Sequence, residues 1–149
     1  MNTKVDQTIV DDFNKVHQRF MKGVFKAMHN LGDPLYDGLM SQDLAIIKAV
    51  SCRPDIILKD ILDQLSIPNS TLTSMVNRLE KMEVLKRVIS KRDRRSYGLE
   101  LCEKGKLIIK DREEKEQRYF TKILAALNSD EERRKLISLL DTVVTNIDD

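Results

Sequence analysis

The sequence predicts a mainly α fold that carries one small β-hairpin. Three observations predict it. Breakers are few, with five Gly and three Pro in 149 residues. Apolar residues recur at steps of three or four through most of the chain, which is the helical period. One short stretch, residues 84–101, instead alternates on either side of a polar loop. Apolar residues make up 41% and charged residues 34%, a balance that excludes collagen-like, low-complexity and disordered classes. A chain of this length closes one core, with room for long appended helices.

Val5, Ile9, Phe13, Val16, Phe20, Val24, Met28 and Leu31 fall on one face of a first long helix. Gly23 within it costs about 1 kcal/mol against Ala, or marks a close approach. Gly32-Asp33-Pro34 stops it. The stripe is longer than a small domain can bury, so part of it is expected to pack on another chain. Ser41 is the expected N-cap of a second helix, with Leu44, Ile47 (or Ile46) and Val50 buried and Arg53-Pro54 ending it. Leu58, Ile61, Leu62 and Leu65 make a short third helix. Pro68 disfavours helical geometry at Ile67 and suits the start of the next helix, which buries Leu72, Val76 (with Met75), Leu79 and Met82. Two short helices about a tight turn are the helix-turn-helix plan. Val84 to Ile89 and Tyr97 to Leu101 suit two strands, with SKRDRR as a long, mobile loop between them. After Gly105 a long helix runs to about Leu127 through a charged middle, KDREEKEQR. Ser129 to Glu132 reads as a capping box. It opens a last helix with Leu136, Leu140 (with Leu139), Val143 and Ile147 on its apolar face.

The formal net charge is +2, and the excess sits in one place. Residues 86–101, KRVISKRDRRSYGLEL, hold six basic and two acidic groups, while the segments on either side are near neutral. Such a cluster suits a polyanion, although a solvated basic loop explains it equally well when taken alone. The neighbouring helix decides between the two. Opposite its apolar stripe lie Asn69, Ser70, Thr71, Thr73, Ser74, Asn77 and Arg78. Short hydrogen-bonding side chains let the backbone approach DNA, donate to phosphates and meet base edges. The helix N-terminus adds unpaired N–H groups. Helix capping accounts for one or two of these residues, not for all seven beside a basic hairpin. In the loop, Lys91, Arg92, Arg94 and Arg95 are placed to reach the neighbouring minor groove or backbone, where Arg is favoured. Asp93 among them makes sense as the orienting partner of one Arg. Double-stranded DNA is therefore the expected partner.

The run ILDQLSIPNSTLTSMVNRLEKMEVLKR, followed by RDRRSYGLELCEKG, resembles the MarR (multiple antibiotic resistance regulator) family of winged-helix transcription factors. Element order and length fit that family over nearly the whole chain. The resemblance implies a winged helix-turn-helix at 41–102, an N-terminal dimerisation helix at 1–34 and C-terminal dimerisation helices at 103–149. It implies a homodimeric repressor on a pseudo-palindromic site. It also implies that Arg95 enters the minor groove, that Asp93 positions it, and that Arg94 contacts a phosphate at the wing tip. A small-molecule effector, whose identity the sequence does not name, is implied in a pocket between the dimer helices and the winged helix. That pocket would draw on Phe13, Phe20, Tyr36 and the second helix. Three positions depart from the family's habit: Ser66 and Glu83, where Gly is frequent, and Cys102, where Thr is usual.

No HExxH, CxxC, GxGxxG or Walker-type loop is present, and the expectation is a protein that is not an enzyme and uses no cofactor or metal. His17 and His29, twelve apart on one helix, are too few and too spread for a zinc site. Cys52 and Cys102 are expected to be reduced thiols of a cytoplasmic protein. No apolar run approaches the roughly 18 residues that span a bilayer, and no export signal is expected at the N-terminus. Two rival readings remain: a redox- or metal-responsive regulator on the same scaffold, and a helical interaction module whose basic hairpin docks an acidic protein.

Overall fold

The computed structural model describes residues 5–28, 33–92 and 94–147. Their elements run α1 (Gln7–Met28), a 3-10 turn (Pro34–Tyr36), α2 (Ser41–Cys52), β1 (Ile56–Ile57), α3 (Leu58–Leu65), α4 (Asn69–Lys81), β2 (Leu85–Ile89), β3 (Tyr97–Leu101), α5 (Glu103–Ala125) and α6 (Asp130–Ile147). They divide into two compact bodies. One is Asn30–Glu113, and the other joins Met1–His29 to Glu114–Asp149. Leu31, Gly32 and His29, on which parts of the sequence reading rest, lie outside the described residues.

The body Asn30–Glu113 holds the buried core. Ile46, Ile47 and Val50 of α2 meet Ile61 of α3, Leu72, Val76 and Leu79 of α4, and Ile108 of α5. These positions follow the helical period, so each helix turns one apolar face inward. The buried face of α2 differs from the expected one in one respect. Asp43 is fully buried in it, while Leu44 is only half-buried. Ser41 is the first residue of α2 rather than its cap, and the Met40 amide donates instead to Asp43 Oδ2 at 2.8 Å.

The sheet has three strands, not the two of a simple hairpin. Its order is β1-β3-β2, antiparallel throughout, with Ile56 opposite Leu99, Ile57 opposite Gly98, and Leu85 opposite Leu101. β1 is two residues long and ends directly in α3, which leaves no alternation for the sequence to display. Leu85 and Leu99 point into the core.

The turns explain two of the departures in sequence. Ser66 ends α3 in the left-handed region (φ 50°, ψ 40°), and its amide returns to the Leu62 carbonyl at 2.9 Å. Glu83, between α4 and β2, has φ 57°. A residue with a Cβ pays roughly 1–2 kcal/mol in that region, which Gly avoids. Ser66→Gly and Glu83→Gly are each expected to raise the stability of the fold, by up to about 1 kcal/mol after Gly's larger unfolded-state entropy is subtracted. A urea midpoint that fell in both variants would contradict this. Gly105 is a different case. It lies in the first turn of α5 against the Val84 carbonyl, which also accepts the Cys102 amide at 3.0 Å. A Cβ there would stand 2.2 Å from that oxygen. Gly105→Ala is therefore expected to destabilise by about 1–3 kcal/mol through overpacking, although Ala is the better helix former. Urea unfolding of this variant is the check.

The second body consists of α1, the distal half of α5, and α6. Its apolar stripes are largely open to solvent in the single chain. Ile9, Phe13, Val16 and Phe20 of α1 and Leu140, Val143 and Ile147 of α6 are all at least 46% exposed. Phe20 meets Tyr119 of α5 at 6.4 Å between ring centroids. A Cβ on Gly23 would lie 3.0 Å from the Tyr119 hydroxyl, so Gly23 marks a close approach. At the start of α6 the Glu132 amide donates to Ser129 Oγ at 3.2 Å, as a capping box requires. The Glu132 carboxylate accepts from the Asn128 amide at 2.8 Å, one residue before the cap.

Candidate nucleic-acid interface

α4 forms because Pro68 sets its entry and Leu72, Met75, Val76 and Leu79 bury one face against the core. The opposite face carries Asn69, Ser70, Thr71, Thr73, Ser74 and Asn77, all exposed. Thr73 Oγ1 lies 3.5 Å from Asn69 Oδ1 within this row. The N-terminal half of the helix thus presents short polar groups and unpaired backbone N–H groups, a surface matched to phosphates and base edges.

The two C-terminal members of the predicted row are engaged within the body. Arg78 is half-buried, and its Nη2 donates to Asp43 Oδ1 at 2.5 Å and to Oδ2 at 2.7 Å. The Asp43 side chain is 0% exposed. Arg78 therefore holds the recognition-type helix onto α2, a role its sequence position does not reveal. Asn77 Oδ1 accepts from Arg87 Nη2 at 2.8 Å. Arg87, on β2, is also ion-paired with Glu80 of α4, whose Oε1 accepts the Arg87 backbone amide at 3.0 Å. This cluster ties α4 to the hairpin, so helix and wing are parts of one compact body.

The hairpin loop presents Lys91, Arg92, Arg94 and Arg95 to solvent, and Asp93 lies outside the described residues. The base of the loop is held rather than loose. Asp55, just before β1, accepts from Ser90 Oγ at 3.0 Å, from the Lys91 amide at 3.2 Å and from the Arg92 amide at 2.8 Å. Arg92 Nη2 donates to Asp60 Oδ2 at 2.6 Å, and Arg53 approaches the same carboxylate at 3.6 Å. Asp55, Asp60, Asp43 and Glu80 were not visible as site residues in the sequence. Each is an ordinary acidic residue, and in all but Glu80 the partners that matter here come from distant parts of the chain.

Both wing carboxyls sit below the ordinary aspartate value. For Asp55 the Arg92 amide is the largest cause; partial burial opposes it, and the Ser90 hydroxyl and Lys91 amide reinforce it. For Asp60 burial pushes upward, and the Ile57 amide, the Arg92 hydrogen bond and the charges of Arg53 and Arg92 outweigh it. A carboxyl with a depressed folded value contributes its stability above the unfolded value of about 3.9 and loses it as pH falls through the folded one. The wing base is thus expected to stay anchored from neutral pH to about pH 5 and to loosen only in stronger acid. The NMR signals of the Lys91 and Arg92 amides report this directly.

In the other body, Phe13, Val16, Phe20, Phe120, Ile123 and Leu140 help line an apolar cleft of about 580 Å³, with His17 stacked on Phe13. Phe13 and Phe20 belong to this body and Tyr36 to the other. Tyr36 donates from its hydroxyl to Asp111 Oδ2 at 2.6 Å. Among the described residues no three His, Cys, Asp or Glu side chains come together as a metal site. Cys52 is exposed and Cys102 half-buried, both as free thiols. Among the described residues no helix is long and apolar enough to cross a membrane.

No curated protein matches the chain. Several solved structures share its fold. It is similar to FabT of Streptococcus pneumoniae, solved in complex with DNA, at 21% identity and a TM-score of 0.78, over 96% of this chain and 98% of that one. It is similar to RV1404 of Mycobacterium tuberculosis, at 17% identity and a TM-score of 0.77, over 98% and 97%. A point mutant of S. aureus MepR, solved bound to an oligodeoxyribonucleotide, follows at 13% identity and a TM-score of 0.63, over 95% and 99%. At these identities the likeness establishes the fold. Sequence establishes more over one segment: residues 39–97 match the model of the MarR family. That segment runs from just before α2 to the first residue of β3, and it contains the helix-turn-helix and the whole hairpin loop. Over this segment, which builds its winged helix, the chain is similar to the MarR family.

Proposed function

We propose that the protein is a transcriptional regulator that binds a pseudo-palindromic double-stranded DNA site as a homodimer and represses from it until a small molecule releases it. One observation carries the DNA reading: the exposed Asn69–Ser74 face of α4 and the exposed cations of the β2–β3 loop stand on one body, bolted together through Arg87. In this reading α4 enters the major groove, with Asn69, Ser70, Thr71, Thr73 and Ser74 nearest the bases and backbone. Arg95 enters the adjacent minor groove, where a narrow groove concentrates negative potential, and Arg94 neutralises a phosphate. The DNA-bound relatives support this placement through their shared fold. A second copy of the chain is the partner that suits the open apolar stripes of α1 and α6, since patches of this extent mark association surfaces. The apolar cleft beside Phe13 and Phe20 supports a hydrophobic effector.

Selection of bound fragments from genomic DNA tests the reading. Enrichment of one two-fold-related motif, bound more weakly as salt rises, is the expected result. Retention of no duplex, with capture of acidic proteins instead, would establish the docking-module alternative. Peroxide, zinc and chelator titrations that left DNA affinity unchanged would remove the redox and metal alternatives.

A further inference from the structure

The wing base contains two carboxylates that the DNA reading does not use. Asp55 occupies a left-handed backbone position, φ 54°, where a side chain is strained and Gly is not. Strain of this kind persists only where the surroundings hold it, and it is a reason to ask what the side chain does. Here it accepts three hydrogen bonds from the start of the wing loop: one from Ser90 Oγ and two from the Lys91 and Arg92 amides. Ser90 itself is 1% exposed, and its Oγ lies 3.2 Å from the Arg92 amide. The sheet makes room for the carboxylate, because a Cβ on Gly98 would stand 2.9 Å from Asp55 Oδ1.

Asp60 works on the side chain of the same loop. Its carboxylate is 17% exposed, fixed by the Ile57 amide at 3.1 Å, and holds Arg92 Nη2 at 2.6 Å. The Arg92 guanidinium is therefore turned back to the start of α3. A phosphate that took Arg92 would have to displace a mostly buried carboxylate and leave it only the Ile57 amide and the longer contact to Arg53 at 3.6 Å.

We propose that Asp55 and Asp60 are positioning residues for the wing: Asp55 clamps the loop backbone, and Asp60 makes Arg92 a strut rather than a phosphate contact. This rests on the DNA reading and deepens it. It separates Arg92 from Lys91, to which the sequence gives no different role. The benefit is pre-organisation, because a loop already ordered in the free protein loses less entropy on binding.

The experiment uses the full chain and a duplex taken from the fragment selection. Each phosphate neutralised contributes about 0.9 to the slope of log affinity against log salt. In the homodimer Arg94→Ala removes two phosphate contacts and is expected to lower that slope by about 1.8. Arg92→Ala and Asp60→Asn are expected to weaken binding about tenfold through lost pre-organisation while leaving the slope unchanged. Asp55→Gly keeps the backbone in an allowed region and deletes only the carboxylate. It is expected to weaken binding with an unchanged slope and to speed hydrogen exchange at the Lys91 and Arg92 amides at least about tenfold. Asp55→Asn, which keeps one acceptor oxygen, is expected to recover part of both. If Arg92→Ala lowered the slope as Arg94→Ala does, Arg92 would be a phosphate contact and the strut would be wrong. If Asp60→Asn tightened binding, Asp60 would be a counter-charge only. Amide exchange unaltered in Asp55→Gly would remove the clamp. If the wild-type chain bound no duplex, the DNA reading itself would fail, while amide exchange would still decide the clamp.

Discussion

Arg78→Ala is expected to cost about 3–5 kcal/mol of folding stability, because it strands a carboxylate with no access to water. Asp43 is 0% exposed, and its anchors are Arg78 and the Met40 amide. The reverse change, Asp43→Ala, is expected to cost less. The Arg78 side chain is 35% exposed and can turn toward solvent on its apolar stem. The Arg78 Nε is already buried without a hydrogen-bond partner among the described residues, so the pair carries a desolvation cost even when intact. Replacing both partners with apolar residues, Asp43→Leu with Arg78→Met, is therefore expected to restore most of the loss. Urea unfolding of each variant gives all three numbers. Two wild-type-like single variants would show that the pair is idle. An Arg78→Ala variant of normal stability but lower salt slope in DNA binding would return Arg78 to the DNA-contacting row.

Removal of both wing-tip arginines, Arg94→Ala with Arg95→Ala, is expected to leave the urea midpoint unchanged and to weaken DNA binding severely. Each such contact is worth about 1–3 kcal/mol, so the pair accounts for a loss on the order of a hundredfold or more. Both residues are exposed on a loop whose base is anchored elsewhere, through Ser90 and the Lys91 and Arg92 amides. Neither is part of the buried core, which their removal leaves intact. If Arg95 reads a narrow minor groove and Arg94 only a phosphate, the two singles will differ. Arg95→Ala will narrow the gap between the selected motif and random duplex, and Arg94→Ala will weaken both equally. Affinity unchanged in the double variant would contradict the wing assignment.

How much of this was legible in the sequence depends on the range of the interaction involved. α4 was legible because its period is local: Leu72, Val76 and Leu79 alternate with short polar residues, and Pro68 announces the start. The hairpin strands were legible because alternation and a charged loop sit within 17 residues of one another. β1 was not, because two residues between a turn and a helix carry no pattern. Asp43 was not, because an acid in the first turn of a helix is what the helix dipole favours in any case, and its partner lies 35 positions away. Arg92 looked like Lys91, Arg94 and Arg95 because charge is additive along a sequence. Only the fold sets Arg92 against Asp60. The loop was expected to be mobile because it lacks a tight-turn signal. Asp55, which holds it, comes from a different segment of the chain.

The most direct measurement of the two-part grip is hydroxyl-radical footprinting of the selected duplex, with the wild-type chain and the Arg94→Ala, Arg95→Ala variant side by side. Wild-type protein should protect two patches about 10 base pairs apart, one helical turn, each flanked by a protected minor groove. The variant, at saturating concentration, should keep the patches and lose the flanks. One continuous zone of protection without sequence preference, or flanks that survive in the variant, would contradict a grip made by a polar helix in one groove and a cationic arm in the next.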